Sequence, residues 1–157
     1  MKSRLIASIA IGAAVVLGTT GCSMISTQAT TISYSAAEGV NIHGEGPLAV
    51  RNAFIVATAD GSEGNFVAAI VNQTDRSETL HVEFGEGSSK IEKSIRVPAN
   101  SVVSLGTADT EPILLEDLDT MPGADIATYV QSGDAEGVLV SIPVLDGQLP
   151  YLADLVP

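Results

Sequence analysis

Beyond its first two dozen residues the chain is a succession of short apolar runs divided by clusters of turn formers. Residues 48–58 carry Val50, Phe54, Ile55 and Val56 and end at Asp60-Gly61-Ser62-Glu63-Gly64-Asn65. Residues 66–72 resume with Phe66, Val67, Ile70 and Val71, so the two runs predict an antiparallel pair about a glycine turn. Apolar residues on both faces suit strands inside a sandwich. After a second turn cluster, Asn72-Gln73-Thr74-Asp75-Arg76-Ser77, residues 79–84 alternate: Leu80, Val82 and Phe84 on one face, His81 and Glu83 on the other. Residues 90–97 repeat the alternation, with Ile91, Lys93, Ile95 and Val97 opposite Lys90, Glu92, Ser94 and Arg96. This predicts a half-exposed hairpin with mixed charges facing water.

Residues 101–106 read as another short strand, and residues 107–122 as an acidic loop around the brief apolar segment 113–115. Strands over 125–131 and 138–145 close the series. No segment of this region shows a sustained apolar period of 3.6 with caps, so helix is not expected. Seven or eight short strands spaced by about ten residues predict an all-β, immunoglobulin-like sandwich over residues 46–147. Residues 148–157 follow as a tail whose Leu149, Tyr151, Leu152 and Leu155 can dock or stay loose.

The N-terminus has a different pattern. Lys2 and Arg4 precede an apolar run over residues 5–17 and then Gly18-Thr19-Thr20-Gly21-Cys22, so residues 1–21 read as a signal peptide. The run is shorter than the roughly 20 apolar residues that a spanning helix needs. Cys22 is the only cysteine and has no disulfide partner within the chain. Thr20-Gly21-Cys22-Ser23 resembles a bacterial lipobox, with Thr19 where that motif usually has leucine. The resemblance implies cleavage before Cys22 and lipidation of its sulfur by a diacylglycerol carrying fatty acyl chains such as palmitate. Two such chains anchor a protein stably where one does so only marginally. Residues 22–45, small and polar, then form a flexible lipidated tether with a weak strand at 31–35, about 20 residues of it reaching roughly 25 Å.

Charge narrows the partners. After cleavage five basic residues face nineteen acidic ones, a formal charge of −14, which opposes nucleic acid and anionic lipid surfaces. The expected partners are the membrane, through lipidated Cys22, and an envelope protein or cell-wall component. Asp60 to Asn65 and Glu116-Asp117-Leu118-Asp119 are candidate calcium loops, but neither has EF-hand spacing and both read better as a turn and a solvated loop. Asn72-Gln73-Thr74 matches a glycosylation sequon, read as coincidental in an exported bacterial chain. There is no Gly-x-Ser-x-Gly elbow, and His81 stands alone on a strand face. The reading is a non-catalytic binding or structural module with no cofactor.

Two family resemblances bear on this. Ala49-Val50-Arg51-Asn52-Ala53-Phe54, Ala69-Ile70-Val71-Asn72, the run from Ile95 through Pro98-Ala99-Asn100 to Val102, and residues 123–144 resemble in order the PCu(A)C copper chaperone domain. That resemblance covers about two thirds of the chain and implies a cupredoxin-like sandwich. The family holds copper through two histidines and two methionines, one pair as His-x-Met late in the domain. Here Glu111-Pro112-Ile113-Leu114-Leu115 occupies that place, so no metal site is expected, and His81 and Met121 are the ligands that a residual one would use. The layout also resembles LpqE-like envelope lipoproteins of actinobacteria, through the lipobox, residues 32–41, Val50 to Val56 and Gly64-Asn65-Phe66-Val67. This second resemblance implies an anchored domain on the extracytoplasmic face of the cell membrane.

Overall fold

A computed structural model describes residues 37–157 together with Ser3, Arg4, Ile6 and Ile9. Those four isolated positions are helical. The cleavage site, Cys22 and the strand expected at 31–35 lie outside the described residues. Among the described residues no helix is long and apolar enough to cross a membrane.

The domain contains nine strands: β1 Val40–Ile42, β2 Leu48–Ala57, β3 Glu63–Asn72, β4 Glu78–Phe84, β5 Ile91–Val97, β6 Ser101–Ser104, β7 Ile113–Glu116, β8 Asp125–Ser132 and β9 Val138–Leu145. One sheet joins β1, β2, β3, β6 and β7, and the other joins β4, β5, β8 and β9. The end of β9 crosses between them by pairing in parallel with β2 at Ile55 and Val56. The sandwich is thus closed on one side like a barrel, and the strand order runs β5-β4-β8-β9-β2-β3-β6. Phe66 of β3 meets Phe84 of β4 edge to face across the two sheets, with ring centroids 5.0 Å apart.

Alternation accounts for most of the core. Leu80, Val82 and Phe84 point inward from β4, as do Ile95 and Val97 from β5, while His81 is exposed. Lys93 lies half-buried on that same inner face of β5, the last strand of its sheet. An inward-pointing lysine on such a strand discourages edge-to-edge pairing.

Two departures from the sequence reading matter for function. The tether expected over residues 22–45 ends earlier: Val40–Ile42 pairs with β2, and Ile42 is buried against the core. Three residues are too few for alternation to announce a strand, and the partner here comes from a segment ten residues on. Likewise the apolar segment expected inside an acidic loop is β7, which pairs with the first half of β3 and buries Leu115. These additions raise the strand number above the seven or eight expected.

Strand β2 has a bulge. Register passes from Arg51 opposite Ala69 to Phe54 opposite Val67, so two residues of β2 face one of β3. Asn52 takes the left-handed conformation there, with φ 49°. Beyond it Ala53, Ile55 and Ala57 face the main core, and Phe54 and Val56 face outward. Their outer face is covered by the tail: Leu152, 2 % exposed, packs with Phe54, Val56 and Val67.

Candidate functional site

The bulge and the tail together make the site. Residues 153–155 form a 3-10 turn, and Leu152 and Leu155 continue a chain of local backbone hydrogen bonds that starts at Leu149. Asn65, on the outer face of β3, donates to the Leu155 carbonyl at 3.0 Å. The Tyr151 hydroxyl donates to Glu38 at 2.9 Å, joining the two ends of the domain. Between tail and sheet runs an open cleft of about 370 Å³.

Its floor is apolar, made by Phe54, Val67 and Leu105 with Leu152 and Leu155 as one wall. Gly106, at φ 80°, carries the chain past Val67 where a side chain would collide. Glu38, Asn52 and Tyr151 come together at its rim, and Ser104 and Thr107 also line it. Asn52 accepts the Gly39 amide at 2.7 Å, and its own amide donates to Asn41 at 3.0 Å. The Glu38 carboxyl is held below its ordinary range by its own backbone amide first, then by the Tyr151 hydroxyl and, more weakly, by Asn52. It is therefore ionised at neutral pH, and among the described residues no basic side chain lines the cleft. A concavity of this size with an apolar floor and few polar groups has the form of a small-ligand site, at the low end of the usual range of about 300–1,000 Å³.

The ligand candidates read from the sequence are not brought together. His81 projects from the exposed face of β4, its Nδ1 hydrogen-bonded to the Ser94 hydroxyl at 2.9 Å. It lies opposite Gln131, near the far end of β8. Met121, 61 % exposed, sits just before the start of that strand, its carbonyl bonded to Ala124. At about 3.3 Å per residue along β8 the two are roughly 20 Å apart and cannot share an ion. His43 bonds instead to Arg51 at 3.0 Å. Among the described residues no group of three or more histidine, cysteine or acidic side chains is arranged to hold a metal.

The acidic loops are occupied by structural duties. Asp60 accepts from the Thr58 hydroxyl at 2.7 Å, the Ser62 hydroxyl at 2.8 Å and the Ser62 amide at 3.2 Å, capping its own turn. Asp117 and Asp119 both take left-handed backbone, and between them Leu118 is buried. Gly64 provides room for it, since a side chain there would meet Ile55 and Leu118. The bonds to Asp60, that of Thr58 foremost, lower its pKa from 3.8 to about 2. A carboxyl depressed on folding stabilises above its unfolded pKa and loses that contribution as pH falls through the folded value. The β2–β3 turn accordingly weakens between about pH 4 and pH 2. An NMR titration of the side-chain carboxyl should show Asp60 returning toward 3.8 in a Thr58→Val chain, and an unmoved midpoint would refute the assignment.

The sequon is closed in the folded chain: Asn72 is 2 % exposed and its amide nitrogen bonds to the carbonyls of Arg76, Val97 and Pro98.

The strand order and the interlocked inner faces define an all-β sandwich with an apolar cleft on the outer face of one sheet. No protein-family model and no curated protein matches the sequence. Among solved structures, the copper-bound PCuAC domain from PmoF2 is similar to this chain. It shares 18% identity and a TM-score of 0.49, over 68% of this chain and 97% of that one.

Proposed function

We propose that this chain is a lipoprotein of the LpqE-like kind, anchored through Cys22 to the extracytoplasmic face of the cell membrane, and that it acts by binding rather than catalysis. The observation that carries the binding reading is the cleft itself, an apolar floor beneath a converging Glu38, Asn52 and Tyr151. Anchoring rests on the signal pattern ending at a lone cysteine, and the acidic surface keeps the domain off anionic headgroups. The expected partner is a component of the cell envelope. The copper-handling alternative, drawn from the PCu(A)C resemblance, would need ligands other than His81 with Met121, which stand roughly 20 Å apart.

A photo-crosslinking residue at Ala69, which lines the cleft, tests the proposal in intact cells, with Thr79 on the other sheet as control position. The acylated protein should capture one defined envelope component from Ala69 and not from Thr79, and Cys22→Ala should abolish that capture. Capture undiminished by Cys22→Ala would remove the anchor from the function, and equal capture from both positions would remove the cleft. Stoichiometric Cu(I) binding abolished by His81→Ala would transfer the reading to metal handling.

A further inference from the structure

Resting on the reading of the cleft as the binding site, we infer that its ligand is an amphiphile with an apolar chain and a cationic amine head. The chain's place follows from the floor and wall. Phe54, Val67, Leu152 and Leu155 present carbon surface to the cleft, and the uncharged Ser104 and Thr107 line it beside them. The head's place follows from the charged group: Glu38, bonded to Tyr151, with Asn52 beside it, whereas the other polar side chains of the lining, Ser104 and Thr107, carry no charge.

Charge decides the head's sign. Among the described residues Glu38 is the only carboxylate that lines the cleft, it is held in its charged form, and no lysine, arginine or histidine lines the cavity to balance it. A carboxylate or phosphate head would face that anion without a counter-charge, whereas an ammonium group gains an ion pair and a hydrogen bond to the free side of the same carboxylate. The wider chain acts in the same direction, since its −14 mature charge draws cations toward the surface and turns anions away. Asn52 adds an amide at the rim only because the β2 bulge turns it there; regular alternation would have put position 52 on the inner face with Val50.

The test uses the full chain as its Cys22→Ala variant, which takes no acyl group, followed by amide NMR during titration with decylamine, decanol and decanoate below their micelle concentrations. Decylamine should perturb residues of the cleft and bind more tightly than decanol by up to about fivefold, the upper end for one exposed ion pair. Decanoate should bind more weakly than either. Glu38→Gln should bring decylamine down to the affinity of decanol, and Ala69→Phe, which fills the cleft from a half-buried position of β3, should weaken all three. Should Ala69→Phe disturb the fold, Ser104→Phe fills the same cleft from the neighbouring strand β6. If decanoate binds as tightly as decylamine, or Glu38→Gln changes nothing, the amine assignment fails while the cleft stands. If none of the three perturbs the cleft, or neither filling variant weakens them, both the ligand class and the binding reading fail.

Discussion

Asn72→Ala should lower the unfolding free energy by about 3 kcal/mol, measured by chemical denaturation, with the cooperative transition retained. Asn72 ends β3 on the side of the sandwich where β5 and β6 are the last strands of the order and no ladder closes the gap. The two hydrogens of its amide nitrogen are shared among the carbonyls of Val97 and Pro98, where the chain leaves β5 for β6, and of Arg76 in the β3–β4 loop. Its carbonyl oxygen accepts the amide and hydroxyl of Thr74 at 3.0 and 2.8 Å. One buried side chain therefore does across this gap what the β2–β9 pairing does on the other side. Removing it strands buried carbonyls, and each unsatisfied group costs about 1–3 kcal/mol, with the losses less than additive because the loop relaxes. Asn72→Asp separates this account from simple cavity formation. It keeps the volume and the acceptor for Thr74 but sets an anion against three carbonyls, so it should be at least as destabilised at neutral pH and partly restored near pH 4. Equal stability of Asn72→Asp and the parent chain at neutral pH would show that the donor bonds carry no weight.

The fold was legible wherever one face of a strand is wet. In the β4–β5 hairpin strict alternation gave both the strands and their inner faces, down to Lys93 turned inward and His81 turned out. It was less legible where a strand is covered on both sides. From Ala53 to Ala57 every residue of β2 is buried, so apolar periodicity could not show that Phe54 and Val56 serve a second cluster. Nor could it show the bulge, for asparagine at position 52 resembles any polar interruption until its φ of 49° is seen. β1 and β7 were missed because strands of three and four residues carry too little pattern, and β7 in addition owes its existence to a partner distant in sequence, the first half of β3. The cleft shared that obscurity. Glu38 and Tyr151 are 113 positions apart, and nothing local to either marks the contact. The one available signal was the tail, where six apolar residues in ten had to be either solvated at a cost or docked.

Docking of that tail sets the second large expectation: Leu152→Ala should cost about 2–3 kcal/mol and release residues after position 148 to carboxypeptidase at a rate that the parent chain does not show. Leu152 is the only tail residue buried to the level of the main core, and it fills the space over Phe54, Val56 and Val67. Leucine truncation at fully buried sites costs about 2–5 kcal/mol, and this site belongs at the low end because a tail without sheet hydrogen bonds can lift away and let water in, leaving no rigid void. The remaining attachments are the partly buried Leu155 and Val156, packed against the same cluster, and two side-chain bonds on the outside of the domain, Asn65 to the Leu155 carbonyl and Tyr151 to Glu38. Net contributions of about 0.5–1.5 kcal/mol apiece cannot hold ten residues in place against their chain entropy. Leu152 is thus the residue on which the wall of the cleft depends, and in Leu152→Ala the cleft should lose its ligand along with its wall. If the variant kept both its stability and a protected tail, the second apolar cluster would be a surface contact without energetic weight, and the cleft could not owe its shape to it.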